Sequence, residues 1–273
     1  MVKNIILDVD GTLWDSSETI TKSWNEVYRR RGLSRRFTVE EVNSYMGKLP
    51  SEIAEELCGG LSKKERNDIV EDCMDTQLKL LEKEGGNLYP GVFETLKRLS
   101  GRYGIFIVSN CGCGYIEKLF SFTGIGPFVK DYLCAGMTGK NKGENLKLLM
   151  EKENLKNCIY VGDTRMDEVA CRYAGIPFIW AAYGFGKSEK PAAVGPQLLD
   201  RNLACRRPQR DYLLCNDPGR LNRYAVHRHR AGFFIHMRSF DDFSIFIQSH
   251  RLKQLRLIIR PQALHRPLGA DED

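Results

Sequence analysis

An apolar run at residues 5–7 leads straight into Asp8-Val9-Asp10-Gly11-Thr12, and this junction constrains the chain more than any other stretch. Three consecutive apolar residues without alternation suit a strand buried on both faces, which places it in a parallel sheet covered by helices. Carboxylates at such a strand's carboxyl end point into the crevice where open α/β sheets bind ligands. Unpaired, two carboxylates this close repel each other and resist ionisation. A divalent cation resolves the conflict, and hard oxygen ligands favour Mg²⁺ or a similar ion. Gly11 permits a tight turn with close backbone approach to a ligand.

The pattern of a short apolar run ending in polar residues recurs along the chain. Residues 105–108 end in Ser109-Asn110, residues 132–135 form a short third run, and residues 158–161 enter Gly162-Asp163-Thr164-Arg165-Met166-Asp167. Residues 176–180 make a fifth. Helical patterns at 92–99, 115–122, 144–152 and 169–175 separate these runs. Alternating strands and helices predict a three-layer, Rossmann-like α/β core with a parallel sheet and right-handed crossovers.

Residues 16–88 interrupt that alternation and read as helices throughout. Ser16 or Ser17 can cap a first helix whose apolar face is Ile20, Trp24, Val27 and Tyr28. Thr38 with Glu41, and Ser62 with Glu65, have capping-box spacing, and Ser51 opens a further segment. Ile69, Cys73, Thr76, Leu80 and Leu81 share a face, and Gly85-Gly86 stops the last helix.

Taken in order, these segments resemble the four motifs of the haloacid dehalogenase-like hydrolases, a superfamily consisting mostly of phosphatases with an aspartate nucleophile and Mg²⁺. Asp8-Val9-Asp10-Gly11-Thr12-Leu13 is similar to motif I, Ser109 to motif II, Lys142 to motif III and the GDxxxD of Asp163 and Asp167 to motif IV. Lys140 also precedes the helix of motif III; Lys142 is preferred because it sits nearer the helix start. The resemblance covers residues 1 to about 190. It implies a core of residues 1–15 and 89–190 with an inserted all-helical cap at 16–88.

The roles it implies are specific. Asp8 attacks phosphorus, and Asp10 first protonates the leaving oxygen and then activates water. Mg²⁺ is held by Asp8, Asp163 and the backbone carbonyl of Asp10, with Asp167 as ligand or outer partner. Lys142, Ser109, Asn110 and the backbone around Gly11 and Thr12 bind the phosphoryl oxygens. The acid at position 10 points to a phosphate ester or anhydride, because dehalogenases and phosphonate-cleaving relatives lack a carboxylate there. Lys48, in Gly47-Lys48-Leu49-Pro50, is the candidate for reading the leaving group of a small phosphorylated metabolite. The pattern is most similar to phosphoglycolate phosphatase, and a sugar-phosphate mutase of the β-phosphoglucomutase type is the enzymatic rival.

Composition bears mainly on the C-terminal part. Residues 195–273 hold 14 Lys and Arg against 8 Asp and Glu, and all five His, whereas the rest of the chain is balanced. This Arg-rich stretch, 191–273, is an atypical tail, expected to be partly loop or disorder over 201–230, with residues 232–236 offering a last strand. A basic tail also permits a noncatalytic nucleic-acid-binding protein, against which the intact motifs speak. No apolar run reaches the length of a membrane span, and residues 1–10 contain no signal peptide, so the cytoplasm is the expected compartment. Nine scattered cysteines read as reduced thiols.

Overall fold

The computed structural model describes residues 2–58, 60–188, 226–229, 232–237 and 240. Its sheet is built on β1 (Asn4–Leu7), flanked by β4 (Gly104–Ser109) and β6 (Cys158–Gly162). β5 (Asp131–Cys134), β7 (Phe178–Ala181), β8 (Val226–His229) and β9 (Gly232–Met237) complete it in the order β5-β4-β1-β6-β7-β9-β8. Every pairing is parallel except that of β8 with β9.

The period-two alternation of strands sorts the core into two layers. Ile5, Leu7, Ile105, Ile107, Ile159 and Val161 share one face with Leu96 and Leu99 of α5 (Val92–Ser100) and Ile116 and Leu119 of α6 (Tyr115–Thr123). Ile6, Phe106, Val108 and Tyr160 share the other with Leu146 and Leu149 of α8 (Lys142–Lys152) and Cys171 of α9 (Arg165–Ala174). Covering both faces is what lets β4 bury all its residues. Each fully buried aliphatic side chain contributes about 1.5–3 kcal/mol.

Four helices precede that second half: α1 (Ser17–Arg30), α2 (Val39–Asn43), α3 (Pro50–Cys58) and α4 (Lys63–Glu84). They lie between two short strands that the apolar pattern does not reveal, β2 (Trp14–Asp15) and β3 (Asn87–Leu88), which pair antiparallel. The pairing brings entry and exit of the helical segment together, and Thr19 Oγ1 donates to the Gly85 carbonyl at 2.7 Å across the same junction. Ile20, Trp24, Val27 and Tyr28 are buried as the spacing predicts. The Ser62–Glu65 capping box forms in full. That of Thr38 forms by half, because the Glu41 carboxylate turns to Arg35 instead.

One expectation changes at the C-terminal side. Residues 226–229, read as loop, form β8, so the strand expected at 232–236, β9, lies inside the sheet between β7 and β8. Residue 240 is described as well: Phe240 is buried in the layer shared with α5 and α6. The remainder of 189–273, including residues 190–194 and the segment 243–259, lies outside the described residues. Among the described residues, no helix is long and apolar enough to cross a membrane, and Cys58, Cys73, Cys111, Cys113, Cys134, Cys158 and Cys171 carry free thiols.

Candidate active site

β1, β4 and β6 are neighbours, so the residues following them converge. The Asp8 amide donates to the Val161 carbonyl at 2.9 Å, carrying the parallel pairing one residue past β1. The chain then turns at Gly11, whose φ is +77°. A Cβ on Gly11 would lie 2.1 Å from Asp163 Oδ2, so close approach as well as conformation requires glycine here.

Three carboxylates meet below that turn. Ligand atoms of Asp8, Asp163 and Asp167 lie within 4.8 Å of one another, and all three residues are buried. Lys142 joins them from the first turn of α8, with Nζ 2.9 Å from Asp8 Oδ2 and 2.5 Å from Asp167 Oδ1. Lys142 is 2% exposed, whereas Lys140 is exposed to solvent, so of the two lysines it is Lys142 that lies against the carboxylates. Burial opposes the Lys142 charge, but the Asp167 and Asp8 carboxylates outweigh it and hold its pKa above the ordinary value.

Asp167 is committed to structure on both oxygens. Oδ2 accepts from the Thr164 hydroxyl at 2.7 Å and from the Thr164 and Asp163 amides, completing the cap of α9, while Oδ1 accepts from Lys142 and the Tyr160 hydroxyl. Asp163 is held by Thr12 Oγ1 at 3.3 Å on Oδ1 and by the Phe185 amide at 2.7 Å on Oδ2, and Trp180 Nε1 donates to its carbonyl. The loop of Tyr183-Gly184-Phe185-Gly186 therefore does more than pass nearby: it fixes a carboxylate. Tyr183 also donates to the Thr12 carbonyl at 2.8 Å.

Asp8 differs, for its Oδ1 is buried with no hydrogen-bond partner. Burial pushes its pKa to about 7, against the pull of Lys142. Burial also raises Asp163 well above the usual carboxylate range, helped by Asp167 and Asp8. Crowded, desolvated carboxylates with an orphaned oxygen among hard donors fit a divalent cation such as Mg²⁺.

Asp10 stands apart from that cluster. Its Oδ1 accepts from the Tyr115 hydroxyl at 2.5 Å, and the Ser16 hydroxyl, 2.6 Å from the Tyr115 oxygen and 3.3 Å from Oδ1, donates to one or the other. Burial raises Asp10 to about 6, with the Tyr115 hydrogen bond opposing. Ser16 occupies the N-cap position of α1 without capping it, and Asp15 accepts from the Ser17 amide in its place. Tyr115 carries no motif spacing that could single it out, and Ser16 reads in sequence as an ordinary helix cap.

A cavity of about 90 Å³ opens from Asp8, Asp10, Ser109 and Asn110 into α1, α3 and α4. Ser109 Oγ accepts from the Cys111 amide at 3.4 Å. Asn110 Nδ2 donates to the Gly47 carbonyl at 2.8 Å, tying the end of β4 to the loop before α3, and its Oδ1 is buried without a partner. Lys48 lines the far side, with Nζ 2.7 Å from both oxygens of Glu56.

Residues 5–181 match the sequence profile of the haloacid dehalogenase-like hydrolases. The chain belongs to this family. Within it the chain is a phosphatase, similar to the phosphoglycolate phosphatases. That of Rhodobacter capsulatus is 25% identical over 69% of this chain and 88% of its own length. That of Vibrio vulnificus (strain CMCP6) is 27% identical over 74% of this chain and 93% of its own length. Solved structures share the fold. A haloacid dehalogenase-like family protein from Streptococcus pneumoniae superposes with a TM-score of 0.59 at 23% identity, over 68% of this chain and 87% of its own. CbbY from Rhodobacter sphaeroides, solved with xylulose-1,5-bisphosphate, gives 0.61 at 17% identity over 71% and 92%.

Proposed function

We propose that the protein is a Mg²⁺-dependent phosphatase that hydrolyses a small phosphorylated metabolite through a phosphoaspartate at Asp8. The observation that carries the reading is the pairing of two unlike carboxylates two residues apart. Asp8 is crowded against Lys142, Asp163 and Asp167 with one oxygen free, while Asp10 is held away from them by Tyr115 and Ser16. Adjacent carboxyl groups in different environments suit different roles.

In this reading residues 1–15 and 89–190 form the catalytic core, and 16–88 form the cap that walls the leaving group. Asp8 attacks phosphorus, the bond to the leaving oxygen breaks, and that oxygen takes its proton from Asp10. Asp10 then takes a proton from the water that attacks the phosphoaspartate, releasing inorganic phosphate and restoring Asp8. Lys142, the Ser109 hydroxyl and the turn at Gly11 and Thr12 bind the phosphoryl oxygens. Mg²⁺, held by Asp8, Asp163 and the Asp10 backbone carbonyl, supplies charge compensation between anionic nucleophile and anionic substrate. Asp167, with both oxygens engaged, positions Lys142 rather than ligating the ion. The setting is the cytoplasm, and the reaction resembles that named for the phosphoglycolate phosphatases. A mutase needs a cation for a second phosphate, and Lys48, the candidate, is tied to Glu56.

Asp8→Asn tests the reading. Turnover of an aryl phosphate with Mg²⁺ is expected to vanish while circular dichroism stays native-like, and near-normal turnover in that variant overturns the covalent route.

A further inference from the structure

The cavity beyond Asp8 and Asp10 has a chemical character of its own. Its wall includes Trp24, Met46, Ile53, Leu57, Val70 and Met74. The last five are only partly covered, so the fold leaves apolar surface facing this space rather than closing over it. Its volume, about 90 Å³, is several times the ~10–15 Å³ that one water needs.

Charge in the wall points the same way. Among the described residues lining the cavity, Lys48 is the one Lys or Arg. Its ammonium sits 2.7 Å from both Glu56 oxygens and 5.1 Å over the Tyr45 ring, so it presents no unbalanced positive charge. The buried lining atoms without partners, Asp8 Oδ1 and Asn110 Oδ1, are both acceptors. Asp8 Oδ1 belongs to the cation site. Asn110 Oδ1, an acceptor, offers an anionic leaving group no hydrogen bond. A carboxylate or second phosphate on the leaving group would give up hydration against the apolar wall and meet only a lysine already paired with Glu56. An alkyl or aryl group would instead cover Leu57 and the flexible Met46 and Met74, whose unbranched side chains fit varied shapes.

We propose that the cavity selects phosphate monoesters of uncharged, apolar alcohols, with the alkyl or aryl group seated between α1, α3 and α4, over esters whose leaving group carries a carboxylate or second phosphate. The assignment rests on the phosphatase reading above and narrows its substrate class. It also parts company with the phosphoglycolate named for the relatives, whose leaving group carries a carboxylate.

Steady-state kinetics with Mg²⁺ on n-alkyl phosphates from ethyl to hexyl, with phenyl phosphate and 2-phosphoglycolate alongside, tests it. Leaving-group acidity barely changes along the alkyl series, so the slope reports burial of methylenes. The expected result is a rise in kcat/KM of about three- to fourfold per added methylene, with 2-phosphoglycolate below ethyl phosphate. Leu57→Asn is expected to flatten the slope, and Val70→Thr, close in shape to the native residue, serves the same purpose if Leu57→Asn does not fold. A flat alkyl series, an unchanged slope in a folded variant, or preference for 2-phosphoglycolate or a sugar bisphosphate overturns the assignment while phenyl phosphate turnover leaves the phosphatase reading standing. Absence of turnover on every ester, phenyl phosphate included, overturns both.

Discussion

Replacing Lys142 with methionine keeps most of its volume and removes its charge from between two buried carboxylates. The lysine is 2% exposed, as is Asp8, and Asp167 is fully buried, so solvent screens neither ion pair. Breaking a buried pair by removing one partner costs about 3–5 kcal/mol, because the remaining charge stays desolvated. For a domain of this size each kcal/mol moves Tm by about 2–4 °C, which gives an expected fall of roughly 6–20 °C. Protonation limits the loss. The Asp8 pKa of about 7 already includes the downward pull of Lys142, the main group opposing burial, so Lys142→Met pushes that carboxyl higher still. At about pH 6 the variant's Asp8 binds a proton and the penalty shrinks, whereas at about pH 8 it is closer to full. Thermal unfolding followed by circular dichroism in a chelating buffer at both pH values measures this difference. Turnover should fall by about 10²–10³, the cost of one donor lost from a phosphoryl or oxyanion site. A variant that melts within about 2 °C of the wild type at the higher pH refutes the reasoning, since the buried cluster would then not depend on the lysine.

The pH dependence of the metal-free protein follows from the same carboxyls. Asp8 is raised from 3.8 to about 7, so between these values the folded state holds a proton that the unfolded chain has lost, and stability falls as pH rises through the window. Asp8→Asn removes that titration, so its Tm should gain on the wild type from about pH 4 to about pH 7; a constant difference would contradict the assignment. Tyr115→Phe removes a hydrogen bond to a charged acceptor, worth about 1.5–3 kcal/mol, and should lower kcat by roughly 10–100-fold with KM nearly unchanged; steady-state kinetics on phenyl phosphate reads the split. Gly11→Ala places a methyl 2.1 Å from Asp163 Oδ2 at a φ of +77°, and should abolish both turnover and any Mg²⁺-induced rise in Tm while leaving the far-UV spectrum unchanged.

How far the site could be read in advance depended on whether its residues sit at strand ends. Asp8, Ser109 and Asp163 each follow an unbroken apolar run, and burial on both faces makes such runs visible. Lys142 was legible because a helix start follows it, although the reason it outranks Lys140 is spatial: α8 packs against α9, and Asp167 is there to receive it. Tyr115 escaped because its partner Asp10 is 105 residues away and nothing in local spacing links them. Ser16 was read as a helix cap, and the competing demand of Asp10 and Tyr115 for its hydroxyl is a tertiary matter. The strands β2 and β3 are two residues each, too short for any periodicity to register. β9 forms where residues 232–236 offer a last strand, but its place inside the sheet is not legible, since it depends on β8, whose Val226-His227-Arg228-His229 has none of the apolar run that marks buried strands.

The distribution of hydrogen bonds over the four aspartates bears on the cation in the proposed mechanism. Asp167 and Lys142 form a neutral pair whose carboxylate is saturated by five donors: Lys142, Tyr160, two amides and the Thr164 hydroxyl. That leaves Asp8, Asp10 and Asp163 to share whatever positive field Lys142 retains, and it does not offset burial, which raises Asp8 to about 7 and Asp10 to about 6. A phosphate monoester dianion approaching Asp8 meets the same excess of negative charge from outside. Proton uptake relieves it only by neutralising the nucleophile of the proposed mechanism; in that reading a divalent cation at Asp8 and Asp163 would supply the compensation and leave Asp8 ionised. The orphaned Oδ1 of Asp8 is where the proposed cation and the geometry coincide: it is a buried acceptor with no donor beside two further carboxylates, and Asp163, fixed by Thr12 and the Phe185 amide, is held in place to share a ligand with it.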